Sequence, residues 1–592
     1  MCGIAGIFLK KSADRAYVDT ATDIMQKAIF HRGPDSFGAH VEDDRAFLNR
    51  RLAIVGIAGG EQPIYGADKK AGIVYNGEVY NYRELREDLR GKGHAFATHT
   101  DTEVVLKNYL EKGVDSFADL EGMFGLCIWD ERSDEIVLAR DSFGMKPLYL
   151  YEDAEKFVFA SELNAILEVP GVDASLSADG LQSYLTFRYC VGGHTLFRNI
   201  RRIEPGTYVK LSRKGAYHFS FSDLSELRPE PFAGTYEEAK EELHALLLKS
   251  VKMHLIGEVP IALLLSGGVD SSVLAGILHE LGTNMECFNI GFDEVNEFEF
   301  STAVADKYGF KMHNIELSAA AMESEFEAIV SGLDEPIADP AQIPLHILSR
   351  EVKKSATVVL SGEGADELFC GYPQYWRCRD EISHSASLPT YLKNSYYFLN
   401  NNQYLKQPGG NGLWPTTRKY FAGSTTFGAM SKYDFKTWVP DNLMMKADKI
   451  AMKHSLEGRF PFLNREIMNF AQSLPTEFLL GQDGTSKRLL KDTFERLLPS
   501  KVLKRPKMGF TVPTGTLLKH FKDLYLDSIS MLRDTEVDEF LELQKIEDSF
   551  TSFLNGRDDF ALRCWTTMIL CVWLAGKKRS QTSFGQDRAI AS

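Results

Sequence analysis

One stretch narrows the fold of this chain more than any other. From Pro260 to Ser272 it reads Pro-Ile-Ala-Leu-Leu-Leu-Ser-Gly-Gly-Val-Asp-Ser-Ser. An apolar run with no polar alternation predicts a strand covered on both faces, as in a parallel sheet flanked by helices. The glycines after it let the backbone approach a ligand closely. A helix from Ser272 to Leu281 then turns its first N–H groups and its positive dipole end toward that turn, an arrangement suited to phosphate. Ser266, Ser271 and Ser272 add hydroxyl donors. The Gly-x-x-x-x-Gly-Lys spacing of a Walker loop is absent.

The surrounding chain repeats the pattern. Cys287–Ile290 and Thr357–Leu360 read as strands and Glu237–Met253 as a helix, so this part is expected to be a parallel α/β sheet. Val358-Val-Leu-Ser361-Gly362-Glu363-Gly-Ala-Asp366-Glu367 is a second strand entering a Gly-rich turn. Asp270 and Asp366 are oxygen ligands of the kind Mg²⁺ prefers. After about residue 375 helices dominate. The first 200 residues differ, with many short strands and helices between them. Ala71–Tyr75 is a strand expected to break at Asn76-Gly77, a strong turn signal. Met123–Trp129 and Glu135–Ala139 form a hairpin pattern, and Tyr80–Leu89 and Glu103–Glu111 have helical periodicity. Ser, Arg, Pro and Gly collect between Leu211 and Thr235. The expected organisation is therefore domain 1–210, linker 211–235 and domain 236–592.

Composition excludes several classes. The chain has 592 residues, with 82 acidic against 67 basic ones, a net charge of −15. That balance lacks the global attraction of a nucleic-acid binder. The eight cysteines form no CxxC pair, which argues against a zinc site or disulfide framework and for a reducing, cytoplasmic setting. The apolar run Cys564–Gly576 is shorter than the ~20 residues of a bilayer span, so no membrane partner is expected and a buried helix is.

Cys2 follows the initiator Met. Loss of Met1 leaves a thiol and a free α-amine on one residue, and an amine with pKa about 7.7–8.0 can take the thiol proton without a histidine. Asn76 and Gly77 place a side-chain amide beside a main-chain N–H, the makings of an oxyanion hole. Arg51 opens the segment Arg51-Leu52-Ala53-Ile54-Val55, where a guanidinium can grip a carboxylate. Asp101 offers a carboxylate near a helix start. His31-Arg-Gly-Pro-Asp35 reads as a polar turn.

Cys2-Gly-Ile, His31-Arg-Gly-Pro-Asp35, Asn76-Gly-Glu-Val-Tyr-Asn81, Thr100-Asp-Thr-Glu103 and Arg140-Asp-Ser-Phe-Gly-Met-Lys-Pro-Leu148 resemble the glutaminase domain of the N-terminal-nucleophile amidotransferases. The resemblance implies a four-layer αββα sandwich that hydrolyses glutamine to glutamate and ammonia. Cys2 is then the nucleophile, with Asn76 and Gly77 the oxyanion hole. Arg51 to Val55 hold the glutamine, while Glu78 and Asp101 hold its α-ammonium. Ser266-Gly-Gly-Val-Asp-Ser271 resembles the pyrophosphate loop of the ATP pyrophosphatases, and together with Ser361-Gly-Glu-Gly-Ala-Asp366 it resembles the acyl-adenylate site of asparagine synthetases. There Leu264, Leu265, Ser266, Gly267, Gly268, Val269, Asp270, Ser271, Ile290, Ser361 and Gly362 contact ATP. Asp270 and Asp366 hold Mg²⁺, Glu363 serves formation or use of the adenylate, and Lys487 neutralises phosphate charge.

Asp448 to Asn464 resembles the family's helical signature, with Asn464 in place of the usual Asp and Gly458 in place of a more helix-friendly residue. Arg505-Pro-Lys507-Met-Gly509-Phe510 is a further match. The resemblance implies an asparagine synthetase-like enzyme that uses glutamine, ATP and aspartate, passes ammonia through an apolar tunnel and forms a homodimer. A different carboxylate acceptor is the main rival, since Cys370, Gly458 and Asn464 leave room for one. An intramolecular synthetase of the β-lactam type, or a non-catalytic glutamine or ATP sensor, fits less of the residue set.

Overall fold

The computed structural model describes residues 2–227, 229–292, 296–382, 391–392, 395, 399, 401–407, 426–505 and 512–590. Met1 and residues 506–511, both invoked above, lie outside them.

The first half is built from two six-stranded antiparallel sheets. One has the order Ile200–Arg202, Tyr149–Glu152, Lys156–Ala160, Cys2–Leu9, Arg45–Arg51, Ser36–Val41. The other runs Gly215–Ser220, Thr207–Ser212, Glu135–Arg140, Gly122–Asp130, Ala71–Val79, Ile64–Tyr65. Ile4, Phe8, Phe47, Val74, Trp129 and Leu138 fill the space between them. Helix Arg15–Ala28 covers the outer face of the first sheet through Val18 and Met25. Helices Tyr82–Gly91 and Asp101–Lys112 cover the second through Leu89, Val105 and Tyr109. The expected αββα sandwich is present. It explains why Cys2–Leu9 is buried at every position: both faces of that strand are roofed, so the alternation of a half-exposed strand is lost.

The second half carries a five-stranded parallel sheet in the order Lys311–Leu317, Glu286–Phe292, Ile261–Leu264, Val358–Leu360, Glu457–Arg459. The strand order reverses between Ile261–Leu264 and Val358–Leu360. Ligands bind open α/β sheets at the carboxyl ends of strands around such a reversal. The Ser266 and Ser361 turns leave those two strands. Helices pack around the sheet and toward the carboxyl terminus. Within Asp558–Arg579 an apolar window has a mean hydropathy of 1.2, enough by length and composition to cross a membrane, yet 72% of that window is buried inside the protein. Trp565 and Trp573 are wholly covered, which agrees with the buried helix expected there.

Three local expectations change. Asn76-Gly77 is not a turn. The strand runs on to Val79, pairing Asn76 with Gly125 and Gly77 with Phe124. The neighbouring strand comes so close that a Cβ on residue 77 would lie 2.2 Å from the Met123 carbonyl oxygen, so the glycine serves a close approach rather than a reversal. Residues 211–220, assigned to the linker, complete the strand Thr207–Ser212 and form Gly215–Ser220, a hairpin that ends the second sheet. Helix Val269–Glu280 starts three residues before Ser272, with Gly268 as N-cap.

Gly458 lies in the strand Glu457–Arg459, not in a helix. Asn464 is an N-cap: its Oδ1 accepts from Glu466 N at 2.8 Å and Ile467 N at 3.3 Å, opening helix Arg465–Ser473. Aspartate would do the same. Asn464→Ala is expected to cost about 1 kcal/mol and Asn464→Asp nothing, read from denaturant midpoints.

Candidate active site

The first constellation forms where the two antiparallel sheets face each other. Cys2 pairs across the ladder with Arg51 and is 6% exposed. Its main-chain nitrogen donates to Asn76 Oδ1 at 3.1 Å. That bond orients the Asn76 amide so that Nδ2, fully buried, has no acceptor. A buried unpaired N–H is costly, so this amide is a donor available to a ligand's acceptor. Arg51 does not extend into open space. It donates to the carbonyls of Val55, Gly56 and Ile57, at 3.2, 2.7 and 3.2 Å. Asp35 Oδ2 accepts from Ala53 N at 2.8 Å. Arg51 and Asp35 together shape the loop Leu52–Gly56 around the pocket.

Glu78 and Asp101 supply two buried carboxyls. Asp101 accepts from Tyr75 Oη and Val79 N at 3.0 Å each and from Thr102 N at 2.8 Å. Thr100, not Asp101, caps the helix. Burial raises the Asp101 pKa, and these bonds only partly offset it. Glu78 is raised well above the usual carboxylate range, first by burial and then by Asp101, with Arg459 pulling the other way. Glu78 Oε1 has no partner. Two desolvated carboxyls with an empty acceptor suit a ligand that brings a cation, such as an ammonium group.

The second constellation lies at the strand reversal of the parallel sheet. Gly267 has φ +72°, a left-handed conformation natural to glycine, and a Cβ there would meet Ser301 N at 2.5 Å. Ser266 Oγ lies 3.2 Å from Ser271 Oγ and accepts from Gly268 N at 3.3 Å. The two acidic turns converge on one point. Lys487 Nζ is 2.6 Å from both carboxylate oxygens of Asp270 and 2.6 Å from Asp366 Oδ1. Lys487 is itself 3% exposed. Gly362 packs against Asp270, since a Cβ on it would lie 3.0 Å from Asp270 Cβ. Glu363 stands partly exposed in the same turn; Leu265 and Ile290 are buried, and Leu264 and Val269 half-buried. Beside it lies a cavity of about 430 Å³ lined by Thr485, Ser486, Lys491 and Arg505, and Arg505 Nη1 donates to the Gly267 carbonyl at 3.3 Å. Next to Asp366, Glu367 is fully buried, and burial followed by the Asp366 charge pushes it up to about 8.

Sequence reasoning missed the residues that tie the two sites together. Arg32, read as part of a polar turn, is wholly buried. Its guanidinium donates to the Cys2 carbonyl at 3.2 Å, to Glu162 at 3.1 Å and to Asp448 at 2.7 Å. Lys146 reaches the other Asp448 oxygen at 3.1 Å. Arg202 pairs with Asp441 at 2.6 Å. The Glu457–Arg459 pair foreseen from the sequence is present at 2.6 Å, and Arg459 also comes within 3.5 Å of Glu78. Each contact except Arg32–Glu162 and Glu457–Arg459 joins parts of the chain more than 200 residues apart or sits on a backbone atom, so no local pattern announces it. Leu52 and Ile54 of the first half pack with Val358 and Met452 of the second in a separate apolar cluster at the seam.

The sequence matches the Asparagine synthase family over residues 242–575 and the Glutamine amidotransferase domain family over residues 1–222. Asparagine synthetase 1 of Bacillus subtilis (strain 168), described as glutamine-hydrolyzing, is 31% identical over 97% of this chain and 96% of that protein. Asparagine synthetase 3 of the same organism is 29% identical over 86% and 87%. Asparagine synthetase B of Escherichia coli (strain K12) is 27% identical over 87% and 83%.

Asp448 is the shared counter-charge of two buried cations. Asp448→Asn is expected to destabilise the protein by roughly 3–5 kcal/mol, because it leaves buried Lys146 without its counter-charge and Arg32 with Glu162 alone. Thermal unfolding followed by circular dichroism would show it as a lowered midpoint.

Proposed function

Because this chain belongs to the asparagine synthase family, we propose that it is a glutamine-hydrolysing asparagine synthetase, making asparagine, glutamate, AMP and pyrophosphate from aspartate, glutamine and ATP. The observation that carries the reading is the presence of both constellations in one chain. One has a buried thiol beside an amide N–H without an acceptor. The other has two aspartates and a lysine converging at a strand reversal.

In the first half the Cys2 thiol, deprotonated by its own amine, attacks the side-chain amide carbon of glutamine. Asn76 Nδ2 and the Gly77 N–H receive the negative oxygen. The amine returns its proton to the departing nitrogen, ammonia leaves, and water cleaves the thioester to glutamate. Glu78 and Asp101 hold the α-ammonium. The loop Arg51–Val55 receives the rest of the amino acid, with Arg51 acting through the loop carbonyls it orders.

In the second half an aspartate β-carboxylate oxygen attacks the α-phosphorus of ATP and pyrophosphate leaves. Ammonia then attacks the acyl carbon, and AMP leaves. Glu363 takes the proton that the nitrogen sheds. The residues from Leu264 to Ser271, with Ile290, Ser361 and Gly362, cradle the nucleotide, and the N–H groups at the start of helix Val269–Glu280 face its phosphates. Asp270 and Asp366 suit Mg²⁺, because their oxygens already converge on a cationic group, the Lys487 ammonium. When bound, the ion supplies charge neutralisation on the phosphates. The seam cluster of Leu52, Ile54, Val358 and Met452 supports a water-poor route for ammonia between the sites. Eight buried free cysteines suit a reducing, cytoplasmic setting.

The test is Cys2→Ala. Glutamine-dependent asparagine formation should vanish while ammonia-dependent formation continues. In the same assay, pyrophosphate release from ATP should respond to aspartate within a panel of carboxylates. Glutaminase activity retained in the variant, or an acid other than aspartate driving release, defeats the reading. Lys487→Met should lower pyrophosphate release by about 10²-fold or more and leave glutamine hydrolysis intact, since Lys487 touches only the second site.

A further inference from the structure

Arg459 belongs to the second half yet ends in the pocket of the first. It is fully buried. Its guanidinium donates from Nε to Glu457 Oε1 at 2.6 Å and from Nη1 to the carbonyls of His254, at 2.7 Å, and Ile256. Nη2 reaches Glu78 Oε2 at 3.5 Å, the longest of these contacts and the one that yields most readily. The main chain of the same residue faces the other way. Arg459 stands opposite Leu360 in the parallel ladder, and its carbonyl accepts from Ser361 N at 3.0 Å. Ser361 and Gly362 begin the turn that packs on Asp270. One residue therefore touches the carboxyl assigned to the glutamine ammonium with its side chain and the nucleotide turn with its backbone.

We propose that Arg459 is a positioning residue that couples occupancy of the glutamine pocket to the nucleotide turn. With the pocket empty, its guanidinium faces the Glu78 carboxyl at 3.5 Å. The α-ammonium of glutamine takes over that carboxylate and releases the guanidinium onto Glu457 and the two carbonyls. The shift is carried by a strand of three residues, Glu457–Arg459, whose last carbonyl anchors Ser361. This rests on the reading that Glu78 holds the glutamine ammonium. Coupling between two binding sites is reciprocal, so ATP must alter glutamine affinity by the factor by which glutamine alters that of ATP.

The experiment uses the full chain carrying Cys2→Ala, which binds glutamine without consuming it. ATP is titrated calorimetrically with Mg²⁺, with and without saturating glutamine, and glutamine is titrated with and without ATP. The expected result is a shift of about five-fold or more, equal in both directions. Adding Arg459→Lys, which keeps the charge but loses the fork, or Arg459→Met should reduce the shift to less than about two-fold. Ammonia-dependent synthesis reports that the second half is folded, and the lysine variant stands in if the methionine one is not. An undiminished shift in either Arg459 variant, or no shift in the parent, overturns the coupling. Glu78→Gln separates the two claims. Weakened glutamine binding supports the pocket assignment, and unchanged glutamine affinity sinks that assignment and the coupling with it.

Discussion

The structure depends on one carboxylate, Asp448, placed where the two halves of the chain meet. It sits between Arg32, which holds the Cys2 carbonyl, and Lys146. All three side chains are sealed from solvent. Charges in such a place are tolerated only when paired and hydrogen-bonded. Burial drags the Lys146 ammonium below the ordinary lysine range even with Asp448 beside it, whereas Arg32, with Asp448 and Glu162 both opposed to it, rises above its own. An apolar seam would have bound the halves with less penalty. The ionic one fixes how the strand Cys2–Leu9 stands relative to the second half, because its geometry is specific to a few ångströms. The Arg202–Asp441 and Arg459–Glu78 pairs cross the same boundary.

Much of the architecture was legible because its signals are local. An unbroken apolar run followed by Ser-Gly-Gly marks a covered parallel strand and its phosphate-facing turn. Cys2, Asn76-Gly77 and the acidic turn at Asp366 each stand out by residue type. The failures were of another kind. Asn76-Gly77 carries a hairpin signal, but the glycine answers to a neighbouring strand about 45 residues away. Residues 211–220 have the composition of a linker, but Gly215–Ser220 is an edge strand that stays largely exposed, Tyr217 and Phe219 included, and so shows no buried apolar run to read. Arg32 and Lys146 look like surface residues until the fold buries them against a partner hundreds of residues distant.

The two sites handle charge differently. The first site keeps two carboxyls in a dry place, where burial raises both Glu78 and Asp101 and so favours their neutral form; a cationic ligand beside them would draw them back to the charged one. At the second site one cation, Lys487, is shared by the two carboxylates of Asp270 and Asp366. A polyanion entering there must bring its own counter-ion or draw the lysine away from the aspartates.

The embedding of Cys2 has a practical side. Its nitrogen is tied to Asn76, its carbonyl to Arg32, and its Cα partner across the ladder is Arg51. Anything fused upstream of this residue enters the same buried surroundings. Affinity handles and fluorescent fusions therefore belong at the far end of the polypeptide, and material purified on an amino-terminal handle should be freed of it before catalysis is assayed.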